Sequence, residues 1–473
     1  MASGLGSYNI AISGLYVNER ALDVTGHNIS NVNTTGYVRQ QVMIKNAPFF
    51  TVSYGNQIQQ MGLGADLQQI RQIRNSFLDA MYRKENMTMG YWEARYKGVQ
   101  EIESILADPM GEGLQDVMND FWDAWQELSK EPESLTVRAI VRQRSQNLVH
   151  TINHIGSQLD KLIEDLSTEI KVRIDEVNNI TSQIAELDVK ISNEELAGGT
   201  ANDYRDQRNL LADRLTKLIN AEVSDTVEGH MYVTIEGFAV VKPNGNVELH
   251  VETEKQSGVY HKITIGKNGV EAPLNNGYIK GLIDTIQEVE DVKEMLNKLV
   301  STMAEEVNKL HRSGKTAGEP PSDGQDFFVS AMAGQPITIN NIKLNDNLKD
   351  LNNIVASTGG SSGDNTIALA ISGLRNQPLI NDKVGTLSLD EFYETVILAI
   401  GHSGREAFNI LEGQTILVQS IDNNRQSLSG VSLDEEMTNM MKYKFAYDAS
   451  SRVFNAIDNM IDIIINRMGI VGR

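Results

Sequence analysis

Apolar residues follow a heptad spacing at both ends of this chain, and no other feature constrains its fold as strongly. The first segment alternates intervals of three and four residues at Leu5, Tyr8, Ile12, Leu15, Leu22 and Ile29, here called the N-terminal seam. The last segment does so at Met440, Tyr443, Tyr447, Phe454, Ile457, Ile461, Ile464 and Met468, the C-terminal seam. Such spacing predicts helices that form a terminal coiled coil. We expect the two seams to bury against each other or against neighbouring copies.

Glycines weaken the first of these helices. Gly4, Gly6, Gly14 and Gly26 each disfavour an isolated helix by up to about 1 kcal/mol relative to alanine. We therefore expect the terminal helices to be weakly ordered in a free monomer and to pair during incorporation into a polymer. Contacts between unlike surfaces would let addition continue around a ring or helix.

Composition narrows the classes of function. A length of 473 residues predicts several domains, and a net charge of −21 argues against a nucleic-acid or anionic-membrane partner. Without cysteine, no disulfide, thiolate nucleophile or cysteine metal site is possible. No basic N-terminal region or membrane-length apolar run is visible, so neither Sec export nor membrane insertion is expected.

The first half of the chain reads as short strands followed by long helices. Residues 36–75 show loose alternation with Gly and Pro breaks, and a helical pattern begins at Ser76. The longest helix is predicted from Leu135 to Leu196, with a break near Gly156 and a polar interruption of its apolar seam at Arg173. A further helix follows at 203–219.

A small β-unit then interrupts the helices. Segments 230–241, 246–254 and 260–266 alternate apolar and polar residues, with turn signals between them. Helices return at 281–311, 366–375 and 389–424, with a short strand predicted at 335–344. The fold class is mainly α with a small β insertion, a long-helix bundle and nested, discontinuous domains. We predict a terminal helical domain (1–35 with 433–473), a helical bundle (36–220 with 273–432) and an outer β domain (221–272).

The sequence disfavours three candidate catalytic or ligand sites. Asp23, His27 and Ser30 share a helix face, but side chains that project in parallel do not converge on a carbonyl carbon. His150 and His154 lack a third zinc ligand, and the P-loop-like sequence at Gly314–Thr316 lacks its first glycine. The three tryptophans, Trp92, Trp122 and Trp125, are predicted to be core residues. No catalytic, cofactor-binding or metal-binding residue is predicted.

The stretch "NISNVNTTGYVR" follows the first helix and predicts a joint. Asparagines end helices well because they tolerate the left-handed region and bond to their own backbone, and Thr34-Thr35-Gly36 predicts a turn with a positive φ at glycine. The residues of this joint motif are Asn28, Asn31, Asn33, Thr34, Thr35, Gly36, Tyr37 and Arg39. By itself the stretch could equally be an ordinary loop.

The same stretch resembles the N-terminal signature of bacterial flagellar axial proteins, the rod, hook and hook-associated proteins. "GHNISNVNTTGY" followed by Arg39-Gln40 is most similar to the hook-associated protein 1 group, although Val38 stands where serine is more common. The C-terminal "EEMTNMMKYKF", together with "NDYRDQRNLLADRLTKLI", Phe327-Phe328 and "GDNTIALAISGLRN", is also similar to that group.

This resemblance implies a structural subunit of the flagellum at the junction between hook and filament. It implies type III export without a cleaved signal, an extracellular location and assembly by pairing of the terminal helices. The implied partners are the hook protein, a second hook-associated junction protein, an export chaperone and further copies in a ring or helical layer. It implies no enzymatic activity.

Two alternatives stay open at this point. A hook protein or flagellin belongs to the same class, but hook bodies are mostly β and flagellins lack the joint motif. A hydrolase that uses His27, or His150 and His154, would belong to another class.

Overall fold

Two compact units make up the chain, each built from segments that are distant in sequence. Unit 1 comprises Met1–Met87, Glu176–Glu248 and Thr415–Arg473, and unit 2 comprises Thr88–Asp175 and Leu249–Gln414. The computed structural model describes residues 2–54, 57–107, 113–226, 229–243, 245–253, 259–267, 269–318, 320–361, 363–382, 385–463 and 465.

Helices dominate the described residues, which confirms the mainly α fold. They are α1 (Ala2–Ser30), α2 (Ser76–Ala107), α3 (Leu114–Lys130), α4 (Leu135–Leu196), α5 (Asn202–Leu218), α6 (Tyr278–Ser313), α7 (Thr366–Gly373), α8 (Leu389–Ser429) and α9 (Leu433–Asp462). Three short 3-10 helices span Asp346–Lys349, Leu351–Asn353 and Leu374–Asn376. In these described stretches, none of the helices combines the length and the apolar character needed to cross a membrane.

The strands form small antiparallel sheets. They are β1 (Gln40–Asn46), β2 (Phe49–Tyr54), β3 (Gln57–Gly62), β4 (Ala65–Gln72), β5 (Ala221–Asp225), β6 (Met231–Ile235), β7 (Phe238–Lys242), β8 (Gly245–Asn246), β9 (Leu249–Thr253), β10 (Tyr260–Ile265), β11 (Phe328–Ser330), β12 (Ile342–Leu344), β13 (Ile380–Asp382) and β14 (Gly385–Leu387). The pairs are β1–β4, β2–β3, β9–β10, β11–β12 and β13–β14, and β5 to β8 form one four-stranded sheet in chain order.

Helix α4 runs without the break predicted near Gly156. A Cβ at this position would lie 2.0 Å from Oδ1 of Asn340 and 3.1 Å from Cγ1 of Ile339, so the glycine serves close packing rather than a kink. The predicted polar interruption at Arg173 is also wrong. The apolar line passes through Ile174, which is buried, while Arg173 pairs with Glu169 and stacks over Tyr278.

Two predicted strand segments are shorter than the pattern suggested. Residues 230–241 form a hairpin because Glu236 and Gly237 both have positive φ, the conformation of a tight two-residue turn. The strand predicted at 335–344 is reduced to β12. Its first part closes a turn, in which Ile342 N donates to the Thr338 carbonyl and Asn341 Oδ1 accepts from Thr338 N.

Aromatic side chains form the core of unit 2. Helix α3 buries one face that consists of Val117, Phe121, Trp125 and Leu128, and Trp122 is buried beside it. Ring centroids lie 5.3 Å apart for Trp125 and Phe327 and 4.9 Å apart for Phe327 and Phe328. Trp122 and Trp125 are therefore core residues as predicted, whereas Trp92 is half-buried.

His311 is fully buried at the end of α6 in unit 2 and uses both ring nitrogens. Nδ1 lies 2.5 Å from the Gln325 carbonyl, and Nε2 accepts a hydrogen bond of 3.0 Å from Val355 N. The ring must therefore be neutral with its proton on Nδ1. Burial lowers the pKa of His311 from 6.5 to about 4.

We expect acid to destabilise unit 2 through His311. The folded state binds the proton less tightly than the unfolded state, so stability is complete above pH 6.5 and is lost as the pH falls toward 4. The loss should reach roughly 3 kcal/mol. Urea unfolding of wild type and His311→Gln from pH 7 to pH 4 tests this, because the variant should lack that part of the slope. The control, His154→Gln at an exposed position of α4, should keep it; equal slopes in all three proteins would contradict the assignment.

Candidate functional site

The predicted joint lies at the end of α1 in unit 1. The helix ends at Ser30, Asn31 to Gly36 form turns, and β1 begins at Gln40. Gly36 has a φ of 81°, as predicted, and a Cβ there would lie 3.3 Å from a methyl group of Leu210. The chain thus changes from helix to strand against the side of α5.

Asn28 is the centre of this joint. Its buried amide forms four hydrogen bonds within the chain. Oδ1 accepts from Gln40 N at 3.0 Å and from the Tyr37 hydroxyl at 2.8 Å. Nδ2 donates to the Gln40 carbonyl at 2.9 Å and to Oε2 of Glu436 at 3.0 Å. All the hydrogen-bonding capacity of the side chain is used, so no other residue type can replace it fully.

Arg39 and Glu436 complete the link between the two chain ends. Arg39 donates from Nε to Oε1 of Glu436 at 2.8 Å, and its NH2 lies 2.7 Å from the same oxygen. Its NH1 contacts Glu435 at 2.6 Å. Glu436 is 2% exposed, whereas the side chain of Glu435 is 62% exposed. The contacts of Arg39 and Asn28 with Glu436, here called the clasp, therefore hold the first turn of α9 against the joint.

A second set of polar contacts fastens the joint to α5. Val38 N donates to Oδ2 of Asp206 at 3.0 Å, and Gln72 Nε2 donates to Oδ1 at 2.7 Å. Gln40 contacts Asn202 and Asp203. Burial raises the pKa of Asp206 from 3.8 to about 7, although the Val38 hydrogen bond and the Arg74 guanidinium, 3.9 Å away, lower it in part.

The remaining joint-motif residues shape the turn. Asn31 Nδ2 donates to the His27 carbonyl at 3.0 Å, and Thr34 donates to Asn31 Oδ1 at 3.2 Å. Asn33, Thr34 and Thr35 are exposed. The motif thus combines a buried polar centre with an exposed turn.

Helix α1 packs against both α9 and the β1–β4 ribbon. A small cluster of Ala21, Val24 and Val42 is joined by Leu67, Ile70 and Tyr443. Of the N-terminal seam, Tyr8, Leu15, Leu22 and Ile29 are half-buried and Ile12 is exposed, while the side chain of Leu5 lies outside the described residues. The most buried apolar positions of α1 are instead Ala11, Val17, Ala21 and Val24. The seam lies beside this line because α1 is covered from two sides.

The C-terminal seam is the half-buried face of α9. Every described member is half-buried, from Met440 to Ile461; Ile464 and Met468 lie outside the described residues. The Tyr8 and Phe454 rings, one from each seam, are 5.0 Å apart. Gly14 allows close approach, since a Cβ there would lie 2.8 Å from Oγ of Ser450. The two seams are thus in contact within one chain.

None of the rejected catalytic groups comes together. Asp23 pairs with Arg20 at 3.5 Å, and Ser30 donates to the Gly26 carbonyl. His27 contacts Tyr37 and lies 3.6 Å from Asp203, and His150 and His154 are exposed. In the part of the chain that the structure describes, no group of three or more His, Asp or Glu side chains could hold a metal ion.

Sequence reasoning missed several partners of the joint. Glu436, Asp206, Gln40 and Asn202 are polar yet buried, and Gln72 is half-buried, because they form hydrogen bonds with the joint or with one another. One signal was available in the sequence. A helix face that packs on another helix is ordinarily apolar, yet Glu435 and Glu436 directly precede the apolar C-terminal seam.

Comparison with family models finds matches along most of the chain. A model described as the helical domain of the flagellar hook-associated protein FlgK matches residues 99–328. A model of the C-terminal segment of flagellar basal body rod FlgEFG proteins matches 418–468, and one of flagella basal body rod proteins matches 9–37. The last two matches contain the two chain ends that the clasp joins.

Relatives that match over nearly their whole length are also flagellar hook-associated proteins. Flagellar hook-associated protein 1 of Bacillus subtilis is 30% identical across 100% of both chains. That of Escherichia coli is 23% identical and covers 97% of this chain and 99% of its own. The solved structure of the flagellar hook junction protein FlgK from Burkholderia pseudomallei has a TM-score of 0.64 at 14% identity, over 76% of this chain and 100% of that one. At that identity the structural match shows a shared fold.

We expect Glu436→Ala to destabilise unit 1 far more than Glu435→Ala. Removing the buried carboxylate leaves Arg39 and Asn28 with unpaired donors, which costs about 3 kcal/mol or more. Removing the exposed neighbour costs less than about 1 kcal/mol. Urea unfolding measures both, and an Arg39→Ala/Glu436→Ala double variant gives the coupling energy. If the two substitutions lower the free energy of unfolding by similar amounts, the clasp does not stabilise unit 1.

A pH dependence of opposite sign to that of His311 is expected from Asp206. Its raised pKa means that the folded state holds the proton more tightly, so its contribution to stability is complete below pH 4 and is lost as the pH rises through about 7. Asp206→Asn should remove this loss of a few kcal/mol. The control, Asp66→Asn at a half-exposed carboxylate of β4 in unit 1, should retain it. Urea unfolding from pH 4 to pH 8 decides between these outcomes.

Proposed function

The chain belongs to the flagellar hook-associated protein 1 family, whose members are structural subunits of the hook–filament junction, and we propose that its clasped terminal helices carry its assembly there. Membership identifies a structural protein of the flagellum rather than an enzyme. The observation that carries the proposal is the clasp, because it joins the two family signatures in one polar centre.

The clasp supports a role in assembly because it fixes how α9 lies on α1. Two apolar seams alone could slide along each other, whereas a buried polar contact sets one register. Residues 1–35 with 433–473 would then act as the assembly domain. Ordering such helices costs roughly 1–2 kcal/mol per residue of backbone entropy, which contacts with neighbouring subunits would offset.

The outward face of α9 is the surface that we assign to a second copy of the chain. Six of its large apolar side chains lie away from the seam, and each is about half exposed or more: Met437, Met441, Phe445, Val453, Met460 and Ile463. These residues are here called the outward stripe. Together they expose several hundred Å² of apolar surface, the scale on which an exposed patch marks a contact between proteins. Among the residues that the structure describes, α1 covers the seam and leaves this stripe exposed, so a second copy has a free apolar surface to pack on.

The location and partners follow from the same proposal. Export through the flagellar type III apparatus would deliver the subunit to the extracellular hook end. There it would contact the hook protein on one side and a second junction protein on the other. An export chaperone would cover the terminal helices before export, because the outward stripe is exposed in the single chain.

Deleting residues 437–473 should leave a folded subunit that does not assemble. The deletion keeps Glu436 but removes the whole C-terminal seam and all of the outward stripe. In cells that lack their own copy, the truncated protein should give no filaments, and labelled antibody should find it absent from the hook end. Filament growth with the truncated protein would refute the assembly role of α9.

A matched pair of point variants distinguishes an effect at the outward stripe from the general effect of replacing an exposed apolar side chain by serine. Phe445→Ser lies on the outward stripe and should reduce incorporation at the hook end. Leu398→Ser lies at an exposed apolar position of unit 2 and should incorporate as wild type does. Circular dichroism should find both folded.

A further inference from the structure

Methionine is the sulfur-containing residue available for oxidation in this protein, because the chain has no cysteine. Met437, Met441 and Met460 are 52%, 54% and 60% exposed, and all three belong to the outward stripe. Met118, Met231 and Met303 are fully buried in comparison. A small oxidant in solution therefore reaches the stripe far more readily than the core.

We propose that Met437, Met441 and Met460 form an oxidation site that controls whether one copy of the chain packs on another. This inference rests on the proposed function, in which the outward stripe is the packing surface. The oxidant is a peroxide. The thioether sulfur attacks one peroxide oxygen, the O–O bond breaks, and hydrogen peroxide leaves as water while methionine becomes the sulfoxide. Sulfur is oxidised and the peroxide is reduced.

The sulfoxide opposes packing because its oxygen needs a hydrogen-bond partner. An apolar interface offers none, so burying the oxidised side chain costs free energy. Met437 and Met441 lie near the start of α9 and Met460 near its end, and oxidation therefore affects the stripe at both of its ends. Met440, on the half-buried seam, faces α1 and is less accessible. An oxidised subunit should thus keep its fold and lose its packing surface.

The same geometry makes the effect specific to free subunits. In the single chain the three sulfurs are exposed, whereas a neighbouring copy on the stripe would cover them. Peroxide should therefore block the addition of new subunits without dismantling a completed layer.

The experiment uses the full-length protein and hooks isolated from cells that lack it. Purified protein is treated with hydrogen peroxide, the added oxygens are mapped by mass spectrometry, and folding is checked by circular dichroism. Labelled antibody then counts the subunits bound at hook ends. The test variant, Met437→Leu/Met441→Leu/Met460→Leu, keeps apolar volume without sulfur. The matched control is Met332→Leu, which removes a 61% exposed methionine of unit 2.

Oxidised wild type and oxidised Met332→Leu should lose binding at hook ends by roughly tenfold or more. Untreated wild type and the oxidised triple variant should bind normally, and methionine sulfoxide reductase should restore the oxidised wild type. Normal binding of wild type that carries oxygen at all three sulfurs would overturn the inference while leaving the proposed function intact. Equal loss by the triple variant would also overturn it. If untreated wild type fails to bind hook ends, the proposed function itself fails.

Discussion

The buried carboxylate of Glu436 is the interaction on which the arrangement of the chain ends depends. A charge removed from water is tolerated only where donors surround it, and here Arg39 and Asn28 supply them. The same asparagine also bonds to the backbone of Gln40, so one side chain fixes the end of α1, the start of β1 and the first turn of α9. Apolar contacts along the seams add buried area, but this polar centre favours one register of α9 on α1 over shifted registers.

Local patterns in the sequence predict the helices well and the clasp poorly. The start of α2 at Ser76 and both ends of α4 follow from caps, glycines and heptad spacing within a few residues. The joint turn and the positive φ of Gly36 are likewise local. The contacts of Asn28 with Glu436 and of Asp206 with Val38 are not, because they join residues 408 and 168 positions apart, and their placement depends on the complete fold. Gly156 illustrates the same limit, because its missing side chain leaves room for Ile339 and Asn340, which are distant in sequence.

Burial differs between the terminal helices and the core of unit 2. In α3 the large apolar side chains are all buried, and in α6 most of them are, as expected of a finished core. Along α9 the seam is only half-buried, and the opposite face carries exposed apolar side chains. Charged side chains such as Lys442 and Arg452 share that opposite face, but its large apolar side chains still leave apolar surface in water. The same helix therefore serves two surfaces, one within the chain and one that a single chain leaves uncovered.

The sequence separation of the clasp has a consequence for how a subunit matures. Asn28 and Glu436 are 408 positions apart, and closing a flexible loop of that length costs roughly 5 kcal/mol of chain entropy, so the intervening helices must fold first. A polypeptide that stops before position 436 leaves Asn28 and Arg39 without their shared acceptor. The clasp therefore forms only in a polypeptide that extends at least to Glu436, which is nearly the whole chain.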